Sequence, residues 1–362
     1  MSNVALVVGT KKGLFIFRSD SSRDGWKQSG PYLPGIEINH ATLDARSGAL
    51  YATANNAWFG CRVSYSTDWG ETWVDNAADP KTAEGSGLDV QRLWRVQPAG
   101  DAEPGVLYCG ADPAVLFRSD DAGKTWSENK ALSTHPTRQS WNPGAGGLIV
   151  HSILTDPARP GRMWVAISAA GVFRSDDAGA SWQPKNANLK NIGHKYDPNI
   201  PMYTEVGQCI HHLVQGGGDR LYAQSHWGTY RSDDGADTWT EITEGLPSDF
   251  GMVMAAHPRN PDVAYVLPLQ GAELRCPPDG ALRVYRTSDA GKSWQAMTKG
   301  LPQSGAFMGT YREGMTVDNL DPLGVYFGTN TGQLYASTDE GDTWRQVTDN
   351  LPPISSVSAA VL

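Results

Sequence analysis

The chain has 362 residues, 40% of them hydrophobic, and a net charge of −9. No stripe of Lys and Arg supplies the clustered positive charge on which phosphate-backbone affinity rests, which excludes a nucleic-acid partner. No segment approaches the roughly 20 apolar residues of a membrane-spanning helix, and Cys61, Cys109, Cys209 and Cys276 show neither CxxC spacing nor disulfide-scaffold density.

In chain order, Ala5–Gly9 and Leu14–Arg18 read as two strands joined by a turn at Thr10–Gly13. The apolar run Val4–Val8 is too short for a signal-peptide core, so a reduced, cytoplasmic protein is expected. With 40 Gly and 23 Pro, turns dominate and long helices are hard to place. A phrase S-x-D-x-G-x-T/S-W then recurs. It stands at Ser66–Trp73, Ser119–Trp126, Ser175–Trp182, Thr287–Trp294 and Ser337–Trp344. A copy at Ser232–Trp239 carries Ala236 where the others have Gly, and a stretched first copy runs from Ser19 to Trp26. The seven closing tryptophans stand about 50 residues apart, room for the four short strands of one propeller blade. In blade four, Leu148–Leu154, Met163–Ser168 and Gly171–Arg174 read as strands, and Ser181–Pro184 begins the fourth. Ile354–Leu362 is left over to supply the inner strand of blade one. The expectation is all-β: one closed seven-bladed propeller domain over residues 1–362, with no exposed sheet edge at the closure.

The phrase has a structural reason. It spans the tight connection between the third and fourth strands, where an Asp carboxylate accepts otherwise unpaired N–H groups and Gly suits a positive φ. The Trp offers a large apolar face to wedge between blades. Seven carboxylates so placed are turn staples rather than seven sites. Ala236 predicts either local strain or a shift of the special position to Gly235.

These residues resemble the Asp-box, or BNR, repeat of the sialidase-like propellers, which also occurs in sortilin-type receptors, xyloglucan-cleaving hydrolases and a photosystem assembly factor. With phrases such as Gly171-Val172-Phe173-Arg174-Ser175-Asp176-Asp177, the whole chain is similar to bacterial intracellular BNR-repeat proteins often labelled glycosyl hydrolase. The resemblance implies the fold and is nearly silent on activity. Sialidases carry an arginine triad, a Tyr–Glu couple and an early F/Y-R-I-P phrase. Phe15-Ile16-Phe17-Arg18 lacks that order, and Arg118, Arg174, Arg231 and Arg286 recur as repeat elements, which argues against sialidase activity.

Long connections point to a walled pocket on one face. They are Asn76–Val90, Lys130–Gly146 and Pro184–Gln208 between blades, and Pro268–Ala281 within blade six, with Trp141, Tyr196 and Tyr203 as ordered walls. Aligning the inner strands by their following turns predicts one ring of channel-facing residues: His40, Arg92, His151, His211 and Glu313. His226, Trp227, Asn55, Asn56, Trp58, Asp112 and Gln270 reach the same mouth from the connections between second and third strands. His135 and His194 have weaker claims, and His257 reads as a turn residue.

Three functions fit. In the first, a hydrolase or lyase acts on a polar, carbohydrate-like small molecule. His151, His211 and Glu313 do the acid–base work near neutral pH, Glu205 stands first among the candidate second carboxylates (with Asp197, Asp112, Asp249 and Glu37), and His40, Arg92, Trp58, His226, Trp227 and Arg312 hold substrate. In the second, no cofactor being demanded by the sequence, His40, His151, His211 and His226 hold a divalent metal ion in the channel. In the third, the loops dock a protein partner and there is no catalysis.

Overall fold

The computed structural model describes residues 3–75, 78–144 and 146–362. Asn76, Ala77 and Ala145, which fall in two of the expected long connections, lie outside them. The described residues form seven four-stranded antiparallel sheets. Blade four runs Val150–Thr155, Met163–Ile167, Gly171–Ser175 and Gln183–Pro184 from the axis outward, so its inner strand starts two residues later than expected. Ile354–Val361 pairs with Asn3–Thr10 as the inner strand of blade one and closes the ring. Three short helices, Lys130–Ser133, Ile192–Tyr196 and Gly271–Leu274, lie in the expected long connections. No helix among the described residues is long and apolar enough to cross a membrane.

Six copies of the repeated phrase build one hydrogen-bond network. In blade four the Gly179 N–H donates to Ser175 Oγ (2.8 Å), while Asp177 accepts from the Ser181 N–H (2.8 Å) and hydroxyl (2.6 Å). The same bonds recur around Asp68, Asp121, Asp234, Asp289 and Asp339. The stretched first copy does not make them: there Asp20 bonds Ser22 only two residues on, and Ser19 Oγ donates to Gly25 O. In blade five the strain stays in place, because Ala236 keeps the glycine position at φ +76° and its N–H still reaches Ser232 Oγ. Indole N–H groups tie blade to blade. Trp182 donates to Asn129 Oδ1, Trp239 to Lys185 O and Trp294 to Ile242 O, each in the segment that ends the preceding blade.

One irregularity positions the site. In blades two to six the pairing between the inner strand and its neighbour slips by a β-bulge, at Ile38/Ala41, Leu93/Arg95, Val150/Ser152, Ile210/His212 and Gly251/Met254. A bulge breaks the strict alternation of side chains and re-aims those beside it. It leaves His211 and His212, adjacent in sequence, lining two different cavities along the channel.

Candidate functional site

The inner strands enter from the face that carries the connections between blades, and there they line a cavity of about 410 Å³. Three of the four expected long connections wall it: Asn142, Gly144 and Gly146 from the first, Ile192, Gly193 and Tyr196 from the second, and Ala272, Glu273 and Arg275 from blade six. Its floor holds Cys209, His211, Phe250, Met252 and Arg312, and His226 closes one side. His211 Nδ1 donates to Gly251 O (2.6 Å), which leaves Nε2 unprotonated, 3.6 Å from Cys209 Sγ. Phe250 packs edge-on against both imidazoles, and His226 Nε2 lies 3.3 Å from the Tyr196 hydroxyl.

Arg312 is the electrostatic centre of this cavity. It is 8% exposed, its Nε has no hydrogen-bond partner, and its guanidinium has no carboxylate partner among the described residues. It sits 5.8 Å from the Trp94 ring centroid. Burial pushes its pKa below the ordinary arginine value; Cys209 and the Glu313 carboxylate, neither hydrogen-bonded to it, oppose that shift, and Arg275 adds to it. Burial likewise holds His211 well below the usual histidine range, helped by Arg312. Burial, then Lys195 and Arg275, lower His226 to about 4. The Cys209 thiol is pushed up by burial against the opposing pull of Arg312. At neutral pH the cavity therefore presents fixed positive charge beside neutral imidazoles.

Further along the inner strands, toward the opposite face, a second cavity of about 180 Å³ is lined by His40, Arg95, His212, Met254 and Glu313. Arg95 Nη1 and Glu313 Oε2 form an ion pair, with His212 Nε2 3.8 Å from the same oxygen. Burial raises the Glu313 pKa, and Arg95 opposes the shift. Burial, then Arg95, lower His212 to about 3.

The single ring therefore divides, and several expectations are corrected. His151 is fully buried in the packing between blades: Nε2 donates to Ile210 O (2.8 Å) and Nδ1 accepts from Ser152 Oγ (3.0 Å), which leaves neither nitrogen for catalysis or a metal. Its repeat position explains why. Asn39, His151 and His211 occupy the same place in the bulges of blades two, four and five, and each donates to the carbonyl just before the equivalent residue of the next blade: Leu93, Ile210 and Gly251. That position is a stitch. His40 and Glu313 line the second cavity, apart from His211 and His226, so the four-histidine metal set does not form. Glu205 is exposed in a connection and is not brought to Glu313. Arg92 lies over Trp94 beside Asp112 and lines neither cavity. Trp58 is 89% exposed at a loop tip, and Trp227 stacks on His194 outside the cavity, so aromatic contact with a ligand falls to Phe250 and Tyr196. Near-neutral imidazole pKa values are replaced by lowered ones. His257 accepts the Arg259 and Asn260 N–H groups, as a turn residue should.

Sequence reasoning missed Arg95, Cys209, His212, Phe250 and Arg275. A usable signal existed for the second: Cys209-x-His211 puts thiol and imidazole on the same side of an extended segment.

Comparisons with known proteins agree with this architecture. A BNR/Asp-box repeat model matches residues 117–128. A xyloglucanase of Paenibacillus is 24% identical over 302 residues, covering 72% of this chain and 27% of that protein. This chain spans about a third or less of the curated relatives of that kind that it matches. Among solved structures, the GH74 xyloglucanase of Xanthomonas campestris superposes with TM-score 0.67 at 20% identity, over 95% of this chain and 52% of that one. YCF48 from Cyanidioschyzon merolae gives TM-score 0.55 at 15% identity, over 90% of each chain. These likenesses show the fold alone. The model of the DUF6242 beta propeller domain matches residues 158–361, more than half of the chain, so the chain belongs to the DUF6242 beta propeller family.

Proposed function

We propose that this glycosyl hydrolase-like propeller takes an acidic, carbohydrate-like small molecule in the mouth cavity and acts on it as a hydrolase or lyase. One observation carries the reading: the buried guanidinium of Arg312 faces the cavity without an anionic partner among the described residues. A buried charge is costly unless compensated, and a ligand carboxylate, bound in bidentate fashion, supplies the missing partner. Arg275 adds a second cation at the rim, and Phe250 and Tyr196 offer apolar faces to a sugar ring. The xyloglucanase names of the relatives support the carbohydrate class. A glycosidase built on two carboxylates is not favoured, because Glu273 is the sole carboxylate among the described lining residues.

A thermal-shift panel pairing uronic-acid sugars with their neutral counterparts tests the ligand class. Stabilisation by the acids alone is expected, and equal response to both would refute it. Oligomers of the responding sugar then separate the reactions, since hydrolysis yields new reducing ends whereas elimination adds an unsaturated product absorbing in the ultraviolet.

A further inference from the structure

We infer that Cys209, His211 and His226 form a binding site for a thiophilic divalent ion of the Zn²⁺ class, with at least one coordination position open to the mouth cavity. Their ligand atoms all lie within 4.8 Å of one another. The decisive distance is 3.6 Å between Cys209 Sγ and His211 Nε2. Zn–S and Zn–N bonds of about 2.3 and 2.05 Å at a tetrahedral angle place S and N about 3.6 Å apart, so this pair already has the separation a shared zinc ion imposes.

The supporting contacts are those a metal site needs. Zinc-bound histidines commonly donate their other N–H to a carbonyl, which fixes the tautomer and aims the lone pair. His211 does this through Gly251 O and presents Nε2 to the thiol. The loop carrying His226 is docked on the residue that carries the thiol: the His226 N–H (2.8 Å) and Ser225 Oγ (3.1 Å) both donate to Cys209 O. Phe250, with ring centroids 5.2 and 5.0 Å from His211 and His226, restricts both imidazoles. Three ligands of this type leave a tetrahedral ion one exchangeable position, as in catalytic rather than structural zinc sites. A thiolate and two neutral imidazoles leave the bound dication with one net positive charge. Beside Arg312 and Arg275, the fourth ligand is then an anion: hydroxide or a carboxylate.

The site is read from its own geometry and does not depend on the acidic-carbohydrate proposal. Full-length protein stripped with a chelator is titrated with Co²⁺. One equivalent should bind with a near-ultraviolet thiolate-to-cobalt charge-transfer band and the strong visible bands of four-coordination, both removed by Zn²⁺. Cys209→Ser should lose the charge-transfer band, and His226→Gln should weaken Co²⁺ binding about 100-fold, with melting temperatures reporting that both variants fold. Absence of the band, its persistence in Cys209→Ser, or equal weak binding by all three proteins would overturn the site. Peptide-resolved alkylation gives a second readout: Zn²⁺ should protect Cys209 from iodoacetamide, and identical labelling with and without Zn²⁺ would mean that the 3.6 Å contact is a plain thiol–imidazole hydrogen bond. Arg312→Met should keep Co²⁺ uptake while losing anion binding, so the two proposals fail separately.

Discussion

Replacing His151 by Ala separates a stitch from a catalyst. The imidazole is fully buried and sits in a relay in which the Leu213 N–H donates to Ser152 Oγ, that hydroxyl donates to Nδ1, and Nε2–H donates to Ile210 O. Truncation leaves the Ile210 carbonyl without its side-chain donor and opens a void between two inner strands. An orphaned buried acceptor costs about 1–3 kcal/mol, and with the void a total of roughly 2–4 kcal/mol is expected. From blade two, the Asn39 amide donates to the equivalent carbonyl of blade three, Leu93 O, so His151→Asn should recover about half of that loss. The readout is urea unfolding at pH 7 followed by tryptophan fluorescence, with ligand binding at the mouth measured alongside. There is also a pH signature. Burial holds the folded-state pKa of His151 well below 6.5, so the unfolded chain takes up the proton first. The stabilisation is complete above the unfolded value and is lost as pH falls below about 6.5, at up to about 1.4 kcal/mol per pH unit. His151→Asn should remove that one-proton slope. Unchanged stability together with lost activity would refute the reasoning and return His151 to the active site.

Three further predictions follow from the same contacts. Glu313→Ala strands the Arg95 guanidinium and should destabilise by about 3–5 kcal/mol, with much of the loss recovered when Arg95→Met is added; equal destabilisation of the single and double variants in urea titrations would count against the ion pair. Ala236→Gly relieves a side chain held at φ +76° and should stabilise by about 1 kcal/mol, read as a raised melting temperature. The box carboxylates of Asp68 and Asp289 are held at about 2 by their hydrogen bonds to Thr72 and Ser293. Because their folded pKa lies below the unfolded value of about 3.9, their contribution is present above that pH and disappears as pH falls toward 2. Asp289→Asn should therefore flatten the acid limb of a stability–pH curve while leaving its neutral part nearly parallel to that of the parent.

The fold was legible because every level of the sequence agrees on it: the box supplies turn bonds, its Trp supplies the tie between blades, and Ile354–Val361 supplies the closure. The face of the site was legible too, since chain length in the connections shows where walls stand. The side chains were only half legible. Aligning strands by their turns gave His151 and Glu313 equivalent positions, but equivalence in a repeat does not reveal a partner: His151 bonds the next blade, whereas Glu313 pairs with Arg95. Arg92 was misplaced because Gln97-Pro98 resembles a turn. The strand continues through Pro98, and Ala99 makes the turn bond that Asp156 makes in blade four. That moves Trp94 into the ring position and Arg95 into the second cavity. The bulges were invisible in the sequence, because they arise from pairing register. Without the bulge in blade five the placing of His211 and His212 in different cavities could not be read.

Isothermal titration of a simple uronate into the parent protein and Arg312→Met tests the mouth cavity most directly. The parent should bind at a single site, more weakly in high salt. Arg312→Met should bind about 100-fold more weakly, yet unfold at a higher temperature because an uncompensated buried charge is gone. Uronate binding by Arg312→Met within two-fold of the parent would contradict the account.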